Sequence, residues 1–381
     1  MQHPELSAQR NKMSQISMFL SGDVMLGRGI DQVLPHPGNP VLYEPYLESA
    51  RGYVKLAEEV SGPIPQRVSF AYVWGDALHE LERMVPDVRI INLETSITTS
   101  NSHWKTKEVH YKMNPANVPC ISAARIDCCA LANNHVLDWG YPGLAETLDT
   151  LKKANVKSAG AGMNLKEAKS PAVMEVLGKG RVIVLALGSV TSGIPLDWAA
   201  AENRPGVKLL KDFSDDTVKC IAEKVRQVKR ERDVVVASIH WGANWGYEIP
   251  RAQMEFAHRL IDCADIDAIH GHSSHHAKGL EVYNEKPILY GCGDFLNDYE
   301  GITGHEVFRG DLGLMYLLTM NALTGKLCCM QMMPTQIRQF RVSQASRNDA
   351  LWLTDTLNRE GKRFGTIIEL GEDSRLRVHW Q

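Results

Sequence analysis

The sequence predicts an α/β fold, a sandwich with at least one mixed sheet, and three observations predict it. Short apolar runs, often β-branched, recur along the chain. Amphipathic helical patterns separate several of them, the alternation that strands and helices leave in a sequence. Run after run then ends in an Asp, Glu, Asn or His.

Residues 16–23 (ISMFLSGD) read as the first strand, closing on Gly22-Asp23. DVRIINLE (87–94) and IDCCALANNH (126–135) read as the next two, closing on Asn92-Leu93-Glu94 and Asn133-Asn134-His135. RVIVLALGS (181–189), DVVVASIHWG (233–242), IDAIHGH (266–272) and PILYGCGDF (287–295) follow. Between them, 141–154 repeats apolar residues at helical spacing, and 214–230 does so with acids at its start and bases at its end, which suits the helix dipole. The 250–264 segment opens on Pro250 and aligns Met254, Ala257, Leu260 and Ile261. Farther on, 313–320 and 326–342 read as paired strands around a turn at 321–325, 346–365 as a helix, and the last residues as a strand. Residues 35–65 and 95–117 read as long irregular insertions, of the kind that form lids or substrate walls. The expected organisation is a polar tail (1–15), one domain over 16–340, and a C-terminal helix and strand (341–381) packed on that domain.

A chain of 381 residues with 44% hydrophobic and 23% charged residues buries a large core without staples. Its net charge of −3 and scattered basic residues give no basis for a nucleic-acid or anionic-membrane partner. The eight cysteines include no C-x-x-C pair. The doublets Cys128-Cys129 and Cys328-Cys329 read as small core filler, which fits a reducing compartment. The polar start MQHPELSAQRNKMSQ lacks the apolar run of a signal peptide, and no stretch approaches a membrane span, so a cytoplasmic protein is expected.

Chemistry concentrates at the strand ends. In open α/β sheets, ligands bind outside the carboxyl ends of the strands. Asp23, Glu94, Asn134-His135, His240, the His272/His275 cluster in IHGHSSHH and Asp294 all fall at such ends. Each alone has a plain reading: a turn, an Asx-turn, a hydrogen-bonded core histidine. Six together point to one composite site, and its mixed oxygen and imidazole donors suit Zn, Mn or Fe rather than Ca. Within the cluster, His270 lies where it can share a strand face with His272, while His276 is left to orient, titrate or face solvent.

The ordered set GDVMLGR, NLET, ANNHVLDWG, HWGANWGYE, GHSSHH and YGCGDFLND resembles the CapA family, named for poly-γ-glutamate capsule biosynthesis, within the calcineurin-like metallophosphatase superfamily. The resemblance spans roughly 16–300 and implies a four-layer α/β/β/α metallophosphatase-like sandwich. It also implies metal roles for Asp23, Glu94, Asn134, His240, His272 and His275, and a histidine at the scissile group in His135. Met25 stands where that superfamily usually carries the histidine of Asp-x-His, so the expected cofactor is one or two divalent ions, or none if the site is degenerate. Asp294, often Asn in the family, is expected to act as ligand or general base.

Three functions follow as expectations. The first is a metal-dependent hydrolase of phosphoester type. Its catalytic groups would be His135, Asp294 and His275, and Arg28 with Lys105, Lys107 and Lys112 would receive an anionic small molecule or peptide. The second is a peptide or amino-acid Cα epimerase, or a poly-γ-glutamate-related enzyme, using His135, Asp294 and the histidine cluster, with Trp241, Trp245 and Tyr247 walling a peptide pocket. The third is a non-catalytic scaffold.

Overall fold

Residues 14–380 are described by a computed structural model, so most of the expected tail 1–15 lies outside the described residues. The chain first lays down four parallel strands: β1 (Gln15–Val24), β2 (Val88–Leu93), β3 (Cys128–Ala130) and β4 (Lys157–Ala159). It then builds a second sheet from β5 (Ala172–Val176), β6 (Gly180–Gly188), β7 (Asp233–His240), β8 (Ala268–His272), β9 (Leu280–Tyr283) and β10 (Lys286–Leu289), in the order β9-β10-β8-β7-β6-β5. Finally it returns to the first sheet with β11 (Asp294–Leu296), β12 (Leu312–Asn321), β13 (Lys326–Arg338), β14 (Arg341–Gln344), β15 (Thr366–Leu370) and β16 (Leu376–Trp380). The ten-stranded sheet is therefore mixed, with β1 parallel to β2 and antiparallel to β12.

Strand alternation sorts the layers. In the six-stranded sheet, Val182, Val184, Ala186, Val234, Val236 and Ala268 point into the core shared with the large sheet. Their odd-numbered neighbours, among them Ile183, Leu185, Val235 and Ile239, pack instead on α6 (Asp215–Val228) and α7 (Arg251–Ala264) through Ile221, Phe256 and Leu260. The large sheet packs with α1 (Arg28–Val33), α2 (Arg51–Ser61), α3 (Asp76–Met84), α4 (Pro119–Ala123) and α5 (Gly140–Lys153). Four layers, α/β/β/α, result. Helix α6 starts where Ser214 accepts a hydrogen bond from the Thr217 amide, with Asp215 and Asp216 in the first turn. The C-terminal α8 (Arg347–Gly361) is capped the same way by Ser346.

Several expectations are corrected by local chemistry. The run 126–135 is strand for three residues only, because Asn133 Oδ1 accepts from the amides of His135 and Val136 and turns the chain. The run 287–295 breaks into β10 and β11, which belong to different sheets. Residues 35–65 are not wholly irregular: α2 buries Tyr53, Val54 and Ala57 at helical spacing. Cys128 and Cys129 are buried, but Cys328 and Cys329 are exposed. A register shift at Thr319/Met320 interrupts alternation along β13 and leaves both thiols at the surface. The segment 341–380 supplies β14 and β16 to the large sheet, both pairing with β13.

Candidate metal centre

Even-numbered residues of β7 and β8 face the space between the sheets, which places Ser238, His240, His270 and His272 there. The parallel register sets His240 beside His272. Trp241 falls on the other face, buried in the outer core with Nε1 donating to the Tyr290 carbonyl at 2.9 Å. The expected pocket wall is thus a core residue. Asp23 and Asp294 meet by a different route. At the end of β1, β11 takes the place of β12, and Asp23 pairs with Asp294 on one side and Asn92 on the other. The approach needs glycine: a Cβ on Gly22 would lie 1.7 Å from the Gly293 carbonyl oxygen.

Two groups of donors result. Asp23, His240 and His272 form one, and Asp23, His275 and Asp294 the other, each with its ligand atoms within 4.8 Å of one another and all buried. Asp23 belongs to both. Glu94 lies beside them, its Oε1 4.0 Å from His240 Nε2 and 3.8 Å from His135 Nε2. Asn92 donates to Asp23 Oδ1 at 2.7 Å and to Glu94 Oε2 at 3.1 Å, and is itself held by Asn133 Nδ2 at 3.0 Å. Sequence reading noted Asn92 and Asn133 as strand-end residues without giving them a role. Their type and position were the available signal.

Burial, then the nearby Asp294, push Asp23 up to about 7, and burial with Asp23 pushes Glu94 well above the carboxylate range. Burial pulls His275 down, but its 2.9 Å contact with Asp294 more than offsets this and raises it. Hydrogen-bond accounting gives an independent test of fit. The Ser21 carbonyl can only accept, so His270 Nε2 (2.6 Å away) carries a proton and its Nδ1 is bare. Ser238 Oγ then donates to His270 Nδ1 and accepts from His272 Nε2, leaving His272 Nδ1 bare. From the other end, Asn134 Oδ1 accepts from His240 Nε2 at 3.1 Å, leaving His240 Nδ1 bare as well. These two bare nitrogens face each other at 2.8 Å. With Asp23 as third donor, these two nitrogens could hold a divalent cation, and mixed imidazole and carboxylate donors are of the type that suits a transition-metal ion.

His135 sits at the edge of this cluster. Its Nδ1 contacts Asp138 Oδ2 at 2.6 Å, so neutral His135 turns a bare Nε2 toward Glu94. Burial lowers its pKa to about 4. Asp138 also accepts from Lys107 at 2.6 Å and from the Tyr111 amide at 2.7 Å. Of the three lysines in the 95–117 insertion, Lys107 alone reaches the centre, contacting the Asn134 carbonyl and, at 3.2 Å, His135 Nδ1. Lys105 is exposed, and Lys112 sits 3.6 Å over the Trp139 ring while donating to the Ser100 carbonyl at 3.1 Å. Arg28 is also corrected. It is buried, paired with Asp298 (2.5 Å) and Glu44 (3.2 Å), and flanked by the Tyr53 and Tyr111 rings. Its donors fasten the 35–65 segment to the chain just past β11.

Met25 is buried and accepts a weak hydrogen bond from Tyr299 at 3.7 Å, so the first-motif position contributes an apolar thioether. Of the IHGHSSHH histidines, His272 and His275 join the donor groups, and His270 supports His272. His276 is buried against Phe308, Trp245 and Tyr247, with Nε2 unpartnered. Asp294 Oδ2 accepts from Asn297 at 2.7 Å, and the Tyr299 ring packs on His275 at 5.3 Å, two supports that sequence reading missed.

Four layers with donor-bearing strand ends converging between two sheets define an α/β/β/α sandwich protein with a candidate metal centre. More particularly, residues 17–299 match the family described as Bacterial capsule synthesis protein PGA_cap, and the chain belongs to that family. It is 47% identical over 364 residues, 95% of this chain and 96% of the relative, to a probable polyglutamine synthesis accessory protein of Mycobacterium tuberculosis. It is 26% identical over 284 residues to the PGA biosynthesis protein CapA of Bacillus subtilis, covering 74% of this chain and 63% of that one. Among solved structures, a phosphatase from Mycoplasma pneumoniae aligns with a TM-score of 0.45 and 12% identity, over 87% of this chain and 95% of the other. No helix of the described residues is long and apolar enough to cross a membrane.

Proposed function

We propose that the protein is a metal-dependent hydrolase of phosphoester type. The observation that carries this reading is the pair of donor groups sharing Asp23, with the His135–Asp138 pair at their edge. When bound, a divalent ion pair supplies an activated water near neutral pH and positive charge for the phosphoryl oxygens. The protein's own residues do the rest. Asp23, Glu94 and Asp294 fill the centre with carboxyl groups, and Arg28 is already paired. Without cations the centre offers an anionic ester no unpaired positive charge, so substrate binding is expected to require the loaded centre. Asp138 holds the His135 ring so that Nε2 faces the reacting group. An arriving phosphate raises the proton affinity of that imidazole, letting it carry a proton to the leaving oxygen. Lys107 keeps Asp138 charged and in place.

A second reading draws on the relatives' names, which concern polyglutamine synthesis and PGA biosynthesis. In it, His135 and the His275–Asp294 pair would exchange a peptide Cα proton. One experiment separates the two. The purified protein is loaded with Mn, Zn or Fe, and hydrolysis of bis-p-nitrophenyl phosphate is measured beside deuterium uptake at Cα of a γ-glutamyl peptide in D₂O. The hydrolase reading expects metal-dependent ester turnover that Asp23→Ala abolishes. Deuterium uptake by metal-free protein, without ester turnover, would select the epimerase. Neither activity would leave the scaffold.

A further inference from the structure

A cavity of about 500 Å³ opens on the outer face of the six-stranded sheet, between α6 and the segments 168–170 and 208–214. Its apolar side includes Leu185, Leu187 and Ile221, which belong to the outer core. Its remaining lining carries four lysines, Lys169, Lys208, Lys211 and Lys224, in a chain whose net charge is −3. None of the four forms an ion pair among the described residues. Three acids share the lining: Asp212 accepts from the hydroxyls of Ser214 (2.5 Å) and Thr217 (2.6 Å), Asp216 pairs with Lys219 (3.0 Å), and Glu223 lies exposed on α6.

Lys208 is the informative member. It is half-buried, and burial followed by the charge of Lys169 lowers its pKa. Desolvating an ammonium beside a second ammonium, without a carboxylate partner, is unfavourable. The lining therefore combines an apolar surface with lysines that outnumber its acids, in a volume typical of small-molecule sites. We propose that this cavity binds a small organic anion, a carboxylate on an apolar chain, with Lys208 pairing to the carboxylate and Leu185, Leu187 and Ile221 packing on the chain. The site is separate from the metal centre, on the opposite face of the sheet that carries His240, and does not depend on the hydrolase reading. Cys220 lines the cavity and is exposed, which gives a reporter.

The test uses the full chain with octanoate as probe, against 1-octanol and inorganic phosphate. Calorimetry should give saturable binding of octanoate, stronger than binding of either comparison compound. Octanoate should slow alkylation of Cys220, read by mass spectrometry, and leave the exposed Cys263 on α7 unchanged. Lys208→Met should weaken binding about tenfold, the scale of one lost charge-assisted hydrogen bond. Lys224→Met, on the helix surface, provides a second variant whose folding is not in question, and should weaken binding less. The proposal is overturned by any of four results: no saturable octanoate binding, octanol or phosphate binding equally well, unprotected Cys220, or octanoate affinity unchanged in both lysine variants. Metal content and ester hydrolysis should stay at wild-type levels in both variants, so failure here is distinguishable from failure of the hydrolase reading.

Discussion

The two halves of the centre share Asp23 but are built from different material. On one side, His240 and His272 occupy neighbouring parallel strands in fixed register, backed by Ser238, His270 and the Ser21 carbonyl. On the other, His275 follows a turn whose Ser273 has φ +103°, and Asp294 opens a three-residue strand. That half depends on the close approach of Gly22 to Gly293 and on support from Asn297 and Tyr299. The strand-built half is oriented by the sheet itself, whereas the loop-built half is oriented by a few side chains. The first should hold an ion more rigidly and exchange it more slowly.

The harshest way to break the comparison is to remove what the halves share. Asp23→Asn should abolish metal uptake at both positions and with it ester hydrolysis, as elemental analysis and a turnover assay would record. The metal-free variant should be at least as heat-stable as metal-free wild type at pH 8, because a neutral amide replaces a buried carboxylate whose pKa burial and Asp294 have raised to about 7. A variant that keeps two equivalents of metal would refute the shared role. Next in size, His240→Ala and His275→Ala should each lose one equivalent and retain the other. If His275→Ala still binds two, the loop-built half is no ligand set.

A smaller effect isolates the backing of the strand-built half. Ser238 and His270 touch no reacting atom; they fix which nitrogen of His272 carries its proton. Ser238→Ala should weaken metal affinity roughly 10- to 100-fold, the usual cost of losing such a support. The ion associated with His275 and Asp294 should be unaffected. Titration calorimetry would show one binding phase shifted and the other unmoved; shifts of equal size in both would mean that Ser238 acts on the fold rather than on His272.

The same contrast explains what could be read from the sequence. The apolar runs marked most strands of both sheets, and period-two alternation let His270 share a face with His272, while the register of β7 on β8 is what brings His240 beside them. Trp241 was misplaced because one step past His240 reverses the face, which residue type alone does not reveal. Arg28 looked like a substrate ligand because its partners, Glu44 and Asp298, lie far away in sequence. The break between β10 and β11 was hidden within one apolar run, since a strand's sheet is decided by tertiary pairing. Asp138 and Lys107, which orient His135, come from a turn and an insertion that carry no periodic signal.

The last prediction concerns pH and sharpens the loop-built half. In metal-free protein Asp23 titrates near 7 through burial and Asp294, Glu94 lies well above its usual range, and Asp294 lifts His275 against burial. An ion binds the unprotonated forms, so these protons must leave. Affinity should therefore rise as pH rises from 6 through 7, by up to about tenfold per unit for each proton displaced. The stability sign agrees. A carboxyl whose folded pKa is raised stabilises the metal-free fold below its unfolded pKa, and that contribution is lost as pH rises through the folded value near 7. Added metal should thus raise the melting temperature more at pH 8 than at pH 6. Calorimetry in two buffers of different ionisation enthalpy counts the protons released at pH 6. Asp294→Asn removes the charge that raises both Asp23 and His275, and should lower that count. An unchanged count would show that Asp294 does not set the proton load of the centre.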